Sequence, residues 1–262
     1  VLLGKLLPMR VLAICHQRDA GPGIFADAIA AVGGELEQWF RAETDVPPAD
    51  PASYDAVISF GGSMHADQED EHGWLAAEKA LLRQLLERGM PLLGVCLGAQ
   101  LLSEAAGGDA HPAREPEIGW FEVEVTEEGA EDPLIGPLAP RFEAFDWHHY
   151  ECGLPAHATV LARTPVCAQA FRVGEAAWGI QFHAEVSVAD LEAWIDEYRD
   201  DADRDRAGPD PETLRGTTMP RMNAWNDLGR ALCGRFLAAV ARPGAAAPAT
   251  FRPPSTPSSS SP

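Results

Sequence analysis

Pro91-Leu-Leu-Gly94-Val-Cys96-Leu-Gly98-Ala-Gln100-Leu-Leu-Ser-Glu-Ala-Ala106 is the stretch whose reading decides the fold. Its first half, with Met90 before it, is short and apolar, which predicts the end of a buried strand. Its second half predicts a helix closed by Gly107-Gly108. Cys96 therefore falls on a strand-to-helix turn with a glycine two residues away on each side. Glycines there let the chain bend sharply and let another group approach closely. A thiol at that turn faces the N-terminus of the following helix, whose dipole favours a thiolate. The pattern predicts a nucleophile.

Working outward, the upstream residues alternate between the two kinds of element. Arg10–Cys15 has strand length, His16–Gly23 is a polar loop, and Ile24–Val32 has helical spacing. Leu36–Phe40 and Tyr54–Phe60 predict further strands, with proline-rich Val46–Ser53 between them. Gly61-Gly62-Ser63-Met64 follows as a tight loop. Trp74–Arg88 predicts an amphipathic helix with Leu75, Leu81, Leu82, Leu85 and Leu86 on its core stripe. This β-α-β-α-β-α order predicts an α/β fold, a single domain with an open, mostly parallel sheet flanked by helices. Such sheets bind ligands at the carboxyl ends of their strands, where Gly61-Gly62 and Cys96 both lie.

Downstream, Glu117–Thr126 and Phe142–Phe145 predict antiparallel additions, and Val160–Arg163, Ala168–Val173 and Ala177–Phe182 three more strands. Ala189–Tyr198 and Asn223–Ala241 predict helices, the second packing back on the domain, with exposed acidic Arg199–Pro211 between them. The expected organisation is an upstream extension over 1–8, a catalytic domain over 9–198, the acidic stretch and last helix over 199–242, and a disordered Pro/Ala/Ser tail over 243–262.

Forty acidic residues against 20 basic ones give a formal charge of -20, which argues against nucleic acid as a partner. No apolar run approaches the ~18 residues of a membrane span. Five scattered cysteines with no C-x-x-C pair argue against a disulfide framework, so a cytoplasmic location is expected. The acidic loop holding His65, Asp67, Glu69, Asp70, Glu71 and His72 reads as solvated surface, so no metal is expected there or at His148-His149. No cofactor is implied, because neither lysine lies in a glycine-rich phosphate loop.

Gly179-Ile-Gln-Phe-His183-Ala-Glu185 closes the last predicted strand, and residues two apart on a strand point the same way. An imidazole oriented by a carboxylate, opposite a thiol, is the set used for acyl transfer. With the Cys96 turn, this resembles the class I, triad-type glutamine amidotransferases, whose motifs read G-x-C-x-G-x-Q and H-P-E. The resemblance is nearest to stand-alone members related to the amidotransferase domain of GMP synthase, and Glu117-Ile-Gly-Trp120, Trp147-His148 and the Gly61-Gly62 loop agree with it. It spans about Met9 to Val188, with Ala184 and Ser63 where the family has prolines.

The resemblance implies a flavodoxin-like fold and glutamine hydrolysis to glutamate and ammonia through a γ-glutamyl thioester. It makes Cys96 the nucleophile, His183 the proton carrier and Glu185 its holder, with backbone N–H groups of Gly62 and Leu97 as the oxyanion hole. It also implies a glutamine site from Gly61, Gln100 and the segment Trp147, His148, His149 and Tyr150. The implied partners are a small molecule (glutamine or a γ-glutamyl compound) and a separate acceptor synthetase, if one is used. The alternatives are a γ-glutamyl peptide or amine hydrolase with the same triad, and a catalytically idle binding relative.

Overall fold

The computed structural model describes residues 8–198 and 208–241. The expectations for 1–7, for most of the acidic stretch and for the tail lie outside the described residues.

Nine strands form one sheet in the order β2-β1-β3-β4-β9-β8-β7-β5-β6. β1 (Arg10–Cys15), β2 (Glu35–Phe40), β3 (Ala56–Ser59), β4 (Leu92–Val95) and β9 (Ala177–Ile180) make a parallel half. β5 (Asp109–Val125), β6 (Arg141–Gly153), β7 (Ala158–Arg163) and β8 (Ala168–Val173) extend it as an antiparallel wing. The expected antiparallel additions are present, but β5 and β6 run well past their apolar centres. The outer end of β5, from Asp109 to Pro116, holds no buried residue, and the cross-strand ladder carries it where hydrophobicity alone does not.

Helices cover both faces, as the continuous apolar runs of the parallel strands require. In β1, Val11, Ala13 and Cys15 enter one core while Leu12 and Ile14 enter the other. The first core takes α1 (Phe25–Ala31), α5 (Val188–Tyr198) and α7 (Met222–Val240), and the second takes α2 (Trp74–Glu87) and α3 (Leu97–Ala105). On α2, Leu75, Leu82 and Leu85 are buried, whereas Leu81 and Leu86 are half-buried at the stripe's edge. α4 (Glu127–Glu131) caps the wing, and α6 (Pro211–Thr218) precedes α7.

α7 does pack back on the domain. It buries Met222, Trp225, Asn226, Gly229, Leu232, Cys233, Phe236 and Leu237, an i, i+3, i+4, i+7 face. Full burial of a side chain like Phe236 stabilises by about 1.5–3 kcal/mol. The consequence for function lies at the other end of this face, where Trp225, Asn226 and Gly229 meet the segment carrying His183 and Glu185.

Candidate active site

Three neighbouring parallel strands, β3, β4 and β9, deliver the three motif stretches from their carboxyl ends. Cys96 follows β4 directly, Gly61-Gly62 lies just past β3, and His183 is three residues beyond β9. Cys96 has φ 50° and ψ -109°, the one positive φ at a non-glycine among the described residues. Such a backbone costs about 1–3 kcal/mol and persists only where its surroundings hold it. Here the Cys96 N–H donates to the Ile180 carbonyl at 2.8 Å, and the Gly98 N–H to the Phe60 carbonyl at 3.0 Å. The flanking glycines serve close approach. A Cβ on Gly98 would sit 2.0 Å from the Ser59 carbonyl oxygen, and one on Gly94 2.5 Å from the Gly98 carbonyl oxygen.

His183 Nδ1 lies 2.8 Å from Glu185 Oε1, and both side chains are buried. They do not share a strand, because β9 ends at Ile180. Beyond it the backbone bonds elsewhere: the His183 N–H donates to the Phe145 carbonyl, and the Glu185 carbonyl accepts from the Ile24 N–H. Those bonds set the bend that brings imidazole and carboxylate together. Burial works against the imidazolium of His183, but the charge of Glu185 and then that of Cys96 outweigh it. The net effect holds the His183 pKa well above its ordinary value. The Cys96 sulfur also lies 3.9 Å from the Trp147 carbonyl oxygen, which ties the elbow to β6.

α7 clamps this segment from behind. Trp225 Nε1 donates to the His183 carbonyl and Asn226 Nδ2 to the Val186 carbonyl, each at 2.8 Å. Gly229 is needed for contact, since a Cβ there would lie 1.9 Å from the Ala184 carbonyl oxygen. Ala184, where the family has proline, is thus fixed from outside rather than by a ring.

The Gly61-Gly62 loop is anchored by residues that sequence reading missed. His16 Nδ1 lies 3.0 Å from the Gly61 carbonyl oxygen, and its Nε2 lies 3.1 Å from the Glu78 carboxylate. Ser59 Oγ donates to Glu78 Oε1 at 2.7 Å, Arg41 Nε lies 3.6 Å from Oε2, and Trp74 stacks on the imidazole at 5.1 Å. Both ring nitrogens face acceptors, so the arrangement calls for a doubly protonated ring. Burial alone would lower the His16 pKa, but Glu78 and the carbonyls raise it overall. Gly61 C=O and Gly62 N–H belong to one planar peptide, so holding the carbonyl also aims the N–H. Gln17 Oε1 accepts from the Ser63 N–H at 2.7 Å, a donor that the family's proline would lack. A paired buried histidine and glutamate 62 residues apart leave no sequence signal.

A cavity of ≈ 410 Å³ opens beside the thiol, lined by Gly62, Cys96, Trp147 and His183 and by Trp194 and Tyr198 of α5. Of the residues expected to hold glutamine, Trp147 lines it and Gly61 packs directly behind, its Cβ direction 3.2 Å from His183 Cε1. Gln100 is buried beneath the site and donates to the Tyr150 carbonyl at 3.2 Å. Tyr150 donates its hydroxyl to Asp67 and stacks on His65 at 4.1 Å. His149 is half-buried and lies outside the cavity lining.

His148 departs from expectation. It is buried and lies outside the cavity lining, its Nε2 3.3 Å from Glu117 Oε2 and 3.7 Å from Asp146 Oδ1. The physical reason is cross-strand pairing: Glu117 of β5 stands opposite His148 of β6, so the Glu-Ile-Gly-Trp and Trp-His stretches form one polar cluster. Thr164 and Gln169 also donate to Glu117 Oε2, at 3.1 and 2.9 Å. Burial pushes the Asp146 carboxyl up to about 7. Glu117, His148 and Cys167 present ligand-type atoms within 4.8 Å of one another; the Cys167 thiol donates to Glu117 Oε2 at 3.5 Å, and His148 Nε2 faces the same oxygen as an ion-pair contact. In the acidic loop, Glu69 pairs with Lys79 at 2.8 Å and Asp67 takes the Tyr150 hydroxyl.

Fold and site together define an α/β protein with a carboxylate-paired imidazole and a thiol lining one cavity at the ends of adjacent parallel strands. Residues 29–194 match the family described as Glutamine amidotransferase class-I, and the chain belongs to that family. It is 30% identical over 192 residues to the glutamine amidotransferase-like protein YfeJ of Salmonella typhimurium, covering 71% of this chain and 80% of that one. A glutamine-hydrolysing GMP synthase chain from Ignicoccus hospitalis is 34% identical over 54% of this chain and 72% of its own. A γ-glutamyl-L-1-hydroxyisopropylamide hydrolase from a Pseudomonas species is 29% identical over 57% and 56%. Among solved structures, a glutamine amidotransferase from Thermotoga maritima superposes with a TM-score of 0.78 at 27% identity, covering 87% of this chain and 98% of that one.

Proposed function

We propose that the protein hydrolyses the γ-amide of glutamine, or of a γ-glutamyl amine, through a γ-glutamyl thioester on Cys96. His183 takes the thiol proton as the sulfur bonds to the γ-carbonyl carbon. Backbone N–H groups of Gly62 and of Leu97, at the first turn of α3, receive the developing oxyanion. The C–N bond then breaks and the leaving nitrogen takes the proton from His183, which gives ammonia when glutamine is the substrate. Water adds to the thioester as His183 removes its proton, the C–S bond breaks, and the thiol is restored as glutamate leaves. Glu185 holds the ring in one orientation and supports its charge throughout.

The observation that carries this reading is the Glu185–His183 pair, in contact at 2.8 Å, lining one cavity with the Cys96 thiol on its strained elbow. Trp147 and Gly61 would flank the bound glutamyl group, Gln100 would act by fixing the Tyr150 backbone, and His148 would prop β6 from beneath. All five cysteines are free and none pairs in a disulfide, which fits a reducing compartment, and we place the reaction in the cytoplasm.

A second reading, hydrolysis of a γ-glutamyl amine, is favoured by the room beside His183. The cavity extends past the catalytic pair to Trp194 and Tyr198, further than an ammonia leaving group requires. The hydrolase name carried by the Pseudomonas relative agrees with that reading. The GMP synthase relative from Ignicoccus agrees instead with ammonia delivery to a separate synthetase.

Release of free ammonia and free glutamate by the purified protein decides between them, with Cys96→Ala as control. Glutamine preferred, and stimulated by a second protein, supports the amidotransferase form. Efficient cleavage of γ-glutamyl amines with poor glutamine turnover supports the hydrolase form. Full activity in Cys96→Ala would sink both.

A further inference from the structure

We propose that the leaving-group side of the cavity selects γ-glutamyl amides whose amine carries a second, positively charged group, held by Trp194, Tyr198 and Glu197. This rests on the γ-glutamyl amide hydrolysis proposed above and names the amine that reaction would release.

The proton inventory fixes which side of the cavity this is. As the C–N bond breaks, the leaving nitrogen takes its proton from His183, so the amine must lie on the His183 side. Trp194 is the side chain that meets His183 there, ring centroids 4.8 Å apart and nearly perpendicular. Trp194, Glu197 and Tyr198 stand at i, i+3 and i+4 on α5, so they share one face and line the cavity together. Trp147 packs edge-on against Trp194 at 5.7 Å and against Tyr198 at 5.3 Å, so the three rings form one continuous aromatic wall. That wall is set in advance, because Trp194 Nε1 donates to the Asp19 carbonyl at 2.9 Å.

Its chemistry has one sign. Aromatic faces attract cations through the ring quadrupole, tryptophan most strongly. Glu197 adds a carboxylate at the rim, exposed and engaged by no ion pair or hydrogen bond among the described residues. No lysine or arginine lines the cavity among the described residues. The formal charge of -20 biases the approach of ligands in the same direction. An ammonium at the far end of the leaving amine meets rings and a carboxylate; a carboxylate there, as in a γ-glutamyl dipeptide, meets the like charge of Glu197 and no cation among the described lining residues.

Three γ-glutamyl amides of similar length test this: those of 1,3-diaminopropane (cationic), n-butylamine (neutral) and 3-aminopropionate (anionic), with glutamine alongside. The wild type should show kcat/KM in the order cationic, neutral, anionic, with about a fivefold cationic-to-neutral ratio that shrinks as salt rises. Glu197→Gln should lower that ratio, and Glu197→Lys should bring the anionic amide above the cationic one. An equal or better neutral amide, or a ratio untouched by Glu197→Gln, would overturn the selectivity while leaving the chemistry at Cys96 intact. Absence of Cys96-dependent cleavage of all four amides would overturn both.

Discussion

Replacing His16 tests how the Gly61-Gly62 peptide is aimed. Glutamine at 16 can still donate to Glu78 at the Nε2 position but cannot reach the Gly61 carbonyl, whereas asparagine can do the reverse. Removing an oxyanion donor outright costs about 10²–10³ in kcat. His16→Gln leaves the Gly62 N–H in place but frees its peptide, so a loss of about 10–100-fold in kcat is expected, with KM changed little. His16→Asn should retain more activity but fold less stably, since Glu78 loses its main cation and keeps Ser59 and Arg41. Breaking a buried pair on one side costs about 3–5 kcal/mol when nothing compensates; these remaining partners should hold the loss to about 2 kcal/mol. The pH dependence follows from the two shifts. The Glu78 pKa is lowered by His16 and its other donors despite burial, so its contribution is present above the ordinary value of 4.5 and fades as pH falls through the folded value. The His16 pKa is raised, so its contribution is full below 6.5 and fades as pH rises through the folded value. The stability gap between wild type and His16→Gln should therefore be widest between those two values. Steady-state kinetics and urea unfolding across that range are the assays. Wild-type kcat in His16→Gln, or a gap that widens at alkaline pH, would refute the reasoning.

The remaining predictions concern the catalytic pair and its support. His183→Ala should slow turnover by about 10²–10⁴-fold, and Glu185→Gln by less, because it orients the ring without exchanging protons with substrate; equal losses in single-turnover rates would count against that division. Trp225→Phe should lower kcat by roughly tenfold with KM nearly unchanged, since it releases the His183 carbonyl while touching no substrate; unaltered kcat would show that α7 does not hold the segment. Gly98→Ala should destabilise by at least about 2 kcal/mol through contact with the Ser59 carbonyl, and an unshifted urea midpoint would contradict it.

What could be read in the chain beforehand was local. The elbow was legible because strand, glycines and helix follow one another within Leu92–Ala105, and the centre of the parallel half because β1, β3 and β4 are continuous apolar runs. The His183–Glu185 contact was legible as a pair but not as a bend, because the bonds that shape it come from Phe145, Ile24 and α7. His16 and Glu78 were invisible for the same reason. α6 is a different case, since Asp210-Pro211-Glu212 carries an N-cap and a first-turn proline, and the Asp210 side chain does accept from the Glu212 and Thr213 N–H groups. The acidity of the surrounding stretch masked that signal. The contact of His148 with Glu117 was not legible, because it comes from the cross-strand pairing of β5 with β6.

The central claim is a covalent γ-glutamyl group on one sulfur. The most direct measurement is mass spectrometry of protein quenched in acid during turnover of glutamine or a γ-glutamyl amide, followed by peptide mapping. The account predicts one added glutamyl unit on the peptide carrying Cys96, lost on treatment with hydroxylamine and absent from Cys96→Ala. Turnover persisting in Cys96→Ala, or a glutamyl adduct on any other side chain, would contradict it.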